Sequence, residues 1–168
     1  MSAVLDGATQ IILPTNLLAI VALGLLAGQS AARRPGVILA LFTAGLVTGA
    51  ILIASALRDP PAADVLLALA AITGVTIAIG FLLPRLIHLA LAFATGAALA
   101  LNAPPQAVTV SAAVVGQLGT IFAALAVTSL IAFVASKAED GWQRIGVRIV
   151  GSWIAASAIL VLALHLAR

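Results

Sequence analysis

The chain has 168 residues, 64% of them hydrophobic and 8% charged, where ordinary globular domains run roughly 45–50% apolar and about 25% charged. With a mean hydropathy of +1.28, this composition excludes a sizeable water-soluble domain, and the alternating polar lumen of a membrane β-barrel would dilute it too far. The pI of about 11.2 reflects only 8 basic against 5 acidic residues, so no nucleic-acid partner is expected, and the absence of cysteine removes disulfides, thiolate metal sites and cysteine nucleophiles.

Prolines and charges divide the chain into apolar spans at about 11–29, 36–57, 62–83, 84–101, 106–135 and 146–167. Each is long enough to cross about 30 Å of hydrocarbon at 1.5 Å per residue, and backbone groups in lipid must be satisfied within the segment. The prediction is an all-α, polytopic integral membrane protein: one transmembrane domain over residues 1–168, built as a bundle of six transmembrane helices. A single helix over 62–101 would run about 60 Å, twice the core thickness. A tight turn at Leu83-Pro84-Arg85 is therefore expected.

In chain order, residues 1–10 carry Asp6 and no Lys or Arg, so no cleaved signal peptide is expected. Span 1 places Thr15 and Asn16 just after Pro14 and contains Gly24-x-x-x-Gly28; span 2 contains Gly45-x-x-x-Gly49. In lipid, small residues at i and i+4 let helices approach closely, either within one bundle, the favoured reading, or between subunits. Pro60-Pro61 and Pro104-Pro105 stand before spans 3 and 5, where a missing N–H is harmless. Thr48-Gly49-Ala50 and Thr95-Gly96-Ala97 hint at a parallel internal repeat, which chance explains equally well in a chain this rich in Ala and Leu. Asp140 with Gln143 reads as a capping box opening the last helix, with Trp142 at interfacial depth.

Loop 1–2 carries Arg33 and Arg34, loop 3–4 Arg85, and loop 5–6 Lys137, Arg144 and Arg148, against Arg58 and Arg168 on the other side. Basic short loops stay in the cytoplasm, so both termini are expected on the non-cytoplasmic side. Charge-sorted short loops fit a bacterial inner membrane.

No Asp, Glu, Lys or Arg is expected inside any span, which argues against a carboxylate relay or a charge-paired ion site. His88 and His165 fall toward opposite faces and read as interfacial histidines. No metalloprotease, nucleophile-elbow, phosphate-loop or dinucleotide motif is present, so a non-enzymatic function without catalytic, metal or cofactor residues is expected. What remains is uncharged polarity: Thr15, Asn16, Thr95 and Gln117, with Thr120 beside Gln117. These serve either as interhelical hydrogen bonds, the favoured reading, or as a polar pathway for a neutral or weakly bound solute.

Span 1, Thr15-Asn16-Leu17-Leu18-Ala19-Ile20-Val21-Ala22-Leu23-Gly24-Leu25 and on to Gln29, with Phe42-Thr43-Ala44-Gly45 and Gly49 in span 2, resembles the hydrogenase/urease accessory membrane proteins (the HupE/UreJ family). The resemblance covers most of the chain, and it implies a six-helix permease scaffold that moves nickel or cobalt. The family pattern implies an Asp-His pair where this chain has Thr15 and Asn16. It also implies a His-Gly-x-x-His-Gly segment where this chain has Leu91-Ala92-Phe93-Ala94-Thr95-Gly96. A hydroxyl and a neutral amide are poor nickel donors, so the scaffold is expected without its metal chemistry. Two functions follow. One is a permease-like protein for a solute needing no charged ligand. The other is a non-catalytic accessory subunit packing against a larger membrane complex, with lipid and other membrane subunits or its own copies as partners.

Overall fold

In the computed structural model, residues 9, 13–29, 35–54, 62–80, 84–103, 109–138 and 141–167 are described. Among them the chain is all-helical. The helices are α1 Pro14–Gln29, α2 Pro35–Ala54, α3 Ala62–Ile79, α4 Arg85–Asn102, α5 Val110–Ser136 and α6 Gly141–Leu166. Five of these, α2 to α6, are long and apolar enough to cross a membrane, whereas α1 is a shorter apolar helix. The expected first span therefore shortens. Its 16 residues rise about 24 Å, because the helix opens at Pro14, whose fixed φ suits a first-turn position.

α1 packs against each of the other five helices. Its residues Ala22 to Gly28 are buried without a break, as befits a helix that is apolar all round. Around this post the helices associate chiefly as α2 with α4, α3 with α6, and α1 with α5. Each association closes on glycine. A Cβ at Gly96 of α4 would overlap the Phe42 carbonyl oxygen of α2, and one at Gly45 would overlap the Phe93 carbonyl oxygen. A Cβ at Gly49 would reach the Ala97 backbone of α4. On the α1–α5 seam, a Cβ at Gly24 would lie 2.7 Å from the Ile131 Cβ, and one at Gly28 would collide with Ala135. A Cβ at Gly74 of α3 would lie 2.8 Å from the Ala155 nitrogen of α6. Both Gly-x-x-x-Gly motifs thus face helices of the same chain. The two Thr-Gly-Ala segments meet across the α2–α4 seam.

Three expected boundaries move. α3 ends at Gly80, whose φ of +68° places it in the left-handed region that closes helices. Its N–H donates to the Thr76 and Ile77 carbonyls. α5 begins after Thr109, whose side chain accepts from the Ala112 N–H at 3.3 Å. α6 begins at Gly141 rather than 146, so Arg144 and Arg148 lie on the helix and not in a loop. The expectation of charge-free spans is corrected with it: Asp64 lies in the first turn of α3 and Arg148 well inside α6. Both are tolerated because they sit at helix ends that their charges complement. Asp64 meets the positive N-terminus of α3. Arg148 donates from Nε to the Ala78 carbonyl at 2.9 Å and from Nη2 to the Ile79 carbonyl at 3.0 Å, two groups left open where α3 stops. Arg33, Arg34, Arg58, Arg168, both Pro-Pro pairs and Asp140 lie outside the described residues.

The seams make a sharp prediction. Gly96→Val should lower stability by about 1–3 kcal/mol or more through overpacking against backbone. Gly146→Ala, where a Cβ meets nothing within 4 Å, should raise it by roughly 0.4–1 kcal/mol. Thermal melts in detergent check both.

Candidate functional site

Few polar side chains lie inside the bundle, and their placement defines the site. Asn16 in the first turn of α1 is fully buried at 0% exposure. Its Oδ1 accepts from Asn102 Nδ2 at 2.7 Å, and the same Asn102 nitrogen donates to Thr15 Oγ1 at 3.3 Å. One carboxamide at the last turn of α4 therefore ties down both polar residues in the first turn of α1. Sequence reasoning missed Asn102 because it falls just past the expected end of span 4, beside Pro104-Pro105. Its signal was the only Asn in that helix, at the outer depth already assigned to Asn16.

The structure brings Thr15 and Asn16 together with Asn102 but does not draw Thr95 or Gln117 into the same hydrogen bonds. Thr95 is buried on α4. Gln117 lies two turns into α5, with both Nε2 and Oε1 buried and without a hydrogen-bond partner. Thr128 Oγ1, three turns further along the same face, is likewise buried and unpartnered. Thr120 donates to the Gly116 carbonyl at 3.3 Å and Thr76 to the Ile72 carbonyl at 2.8 Å, the usual way a hydroxyl is quenched inside a helix. The Gln117 carboxamide has no such local outlet.

Charges segregate to the two ends. At the end bearing the Asn16 cluster, His165 Nδ1 lies 2.8 Å from Asp64 Oδ1, each side chain 38% exposed. The contact joins the N-terminus of α3 to the C-terminus of α6, and at that exposure it contributes about 1 kcal/mol or less. At the other end stand Arg85, Lys137, Arg144 and Arg148. His88 sits there too, in the first turn of α4, a full helix length from His165. Among the described residues no group of three His, Asp or Glu side chains is placed to hold a metal ion.

The Asn16–Asn102 contact should behave as a genuine interhelical bond. A double-mutant cycle with Asn16→Ala and Asn102→Ala is expected to return a coupling of about 0.6–1.7 kcal/mol, the range for such pairs in membranes. Additive losses would place the two amides out of reach of each other. Comparison of the chain with protein-family models, with curated proteins and with solved structures finds no match.

Proposed function

We propose that the protein is a permease-like bundle of six transmembrane helices that passes a small, neutral, hydrogen-bonding solute. The observation that carries this reading is the Gln117 carboxamide of α5, whose nitrogen and oxygen are both buried with neither donor nor acceptor paired. A buried polar group left unmatched costs about 1–3 kcal/mol, a penalty a passing solute or water relieves. Two turns nearer the helix ends, Thr15, Asn16 and Asn102 offer a second neutral hydrogen-bonding station that joins α1 to α4. The likeness of α1 and α2 to the HupE/UreJ family supports a permease scaffold. The neutral residues at its implied ligand positions support a cargo other than nickel or cobalt.

The orientation belongs to the same proposal. The end with Arg85, Lys137, Arg144 and Arg148 faces the cytoplasm by the positive-inside rule, and the end with Asp64 and His165 faces away. The membrane is then a bacterial inner membrane, crossed six times, with α1 spanning as the enclosed central helix. A C-terminal alkaline phosphatase fusion should be active and a C-terminal fluorescent fusion dark. The reverse pattern overturns the orientation.

Function is tested in proteoliposomes by stopped-flow light scattering with glycerol and urea as neutral probes. Flux above protein-free vesicles is expected. Gln117→Leu should cut it about 10-fold, the equivalent of one hydrogen bond of about 1.4 kcal/mol, while raising the melting temperature because an unpaired amide is gone. Flux equal to that of empty vesicles, together with stoichiometric copurification of a large membrane complex, would instead establish the accessory-subunit reading.

A further inference from the structure

Among the described residues, three buried side-chain polar atoms lack a hydrogen-bond partner: Gln117 Nε2, Gln117 Oε1 and Thr128 Oγ1. All three belong to α5, and they fall on one line of it. Eleven residues make three turns plus about 20°, so the two side chains leave the helix in nearly the same direction, about 16 Å apart along its axis. Ile121 and Ala124 separate them on that line. The line is the one turned to α1. It continues through Ile131, whose Cβ would lie 2.7 Å from a Cβ at Gly24, and through Ala135, which a Cβ at Gly28 would overlap. Thr128 itself is 0% exposed, and its carbonyl oxygen lies 3.2 Å from the same Cβ position at Gly24.

The unpaired hydroxyl is not forced by the helix. Thr43, Thr48, Thr76 and Thr120 each return theirs to the carbonyl four residues back, the usual outlet for a threonine in a helix. Thr128 has the Ala124 carbonyl at the same offset and makes no such bond. We infer that the solute's route follows this line of α5 from Gln117 to Thr128, and that the Thr128 hydroxyl is a second group that binds the passing solute. The inference rests on the reading that the unpaired Gln117 carboxamide serves such a solute. A hydroxyl both donates and accepts, as a carboxamide does, so the two stations suit one cargo: a small molecule with hydroxyl or amide groups. α5 carries no ionisable side chain from Val110 to Ser136, so the route offers an ion no counter-charge. Beyond Thr128 the line turns apolar and closes on Gly24 and Gly28. Passage there requires α1 and α5 to part, with Thr128 the last polar group on the line before that closure.

The test is glycerol flux into proteoliposomes of the full chain, read beside thermal melts. Thr128→Val keeps the shape of the side chain and removes only the hydroxyl. It should cut flux about 10-fold, the equivalent of one hydrogen bond of about 1.4 kcal/mol, with the melting temperature level or raised. Thr128→Ser should restore the flux. Thr43→Val, the same change at a hydroxyl already bonded to the Leu39 carbonyl at 2.8 Å, should leave it unchanged. A loss of flux in Thr128→Val that comes with a lowered melting temperature, or that Thr128→Ser does not restore, makes Thr128 structural and overturns the inference. Flux unchanged in Thr128→Val but cut in Gln117→Leu overturns the route past Thr128 and leaves the transport reading standing. Flux of the unsubstituted chain no greater than that of empty vesicles overturns both.

Discussion

Close approach of backbones at glycine is the constraint on which this bundle depends. Apolar side chains gain little by leaving lipid for one another, so helices in a membrane associate through short-range packing. Here that packing converges on Gly96 with Gly45 and Gly49, on Gly24 with Gly28, and on Gly74 with Gly151. Each seam removes the volume of a Cβ where another helix's backbone or side chain must pass. Because the three seams join α2 to α4, α1 to α5 and α3 to α6, the chain order of the helices is not their spatial order. α1 ends up enclosed, and this relieves it of matching the bilayer thickness with its own length.

Polar groups are arranged around that frame under one rule: each is matched, sent to an end, or left for something that is not protein. Asn16 and Thr15 are matched by Asn102. Asp64 and His165 are sent to one end and meet each other there. Arg148 is sent to the other, where it completes the terminus of α3 by taking two carbonyls that Gly80 leaves open. Gln117, together with the Thr128 hydroxyl, falls in the third class, which is why its carboxamide bears the weight of the functional proposal. The same logic applies to apolar surface: Phe122, Phe133 and Trp153 face outward, as lipid-facing residues do.

The apolar spans were readable along the chain because lipid demands uninterrupted hydrophobic stretches, and Pro84 with Arg85 sufficed to separate α3 from α4. The pairing of the helices was not readable. A Gly-x-x-x-Gly motif states that something packs closely, but not which helix, and the partners of Gly24 and Gly28 lie more than a hundred residues away in α5. The site was half legible. Thr15 and Asn16 stood out as polar residues in an apolar stretch, but Asn102 was hidden by its position at a helix end, where an asparagine is ordinary. Arg148, expected in loop 5–6, and Asp64, not singled out, were hidden for the opposite reason. Charges near span boundaries read as loop residues until the helix ends they complete are in place.

The absence of cysteine from the chain makes the pairing of helices directly measurable. Asp64→Cys with His165→Cys, introduced at two partly exposed side chains 2.8 Å apart, can be bridged by a short bis-maleimide in native membranes. If the glycine seams close within one chain, the product is an internally bridged monomer, protected from separation when the chain is cleaved between α3 and α6. Bridges found only between chains would show that the seams join separate copies, and would contradict the bundle described above.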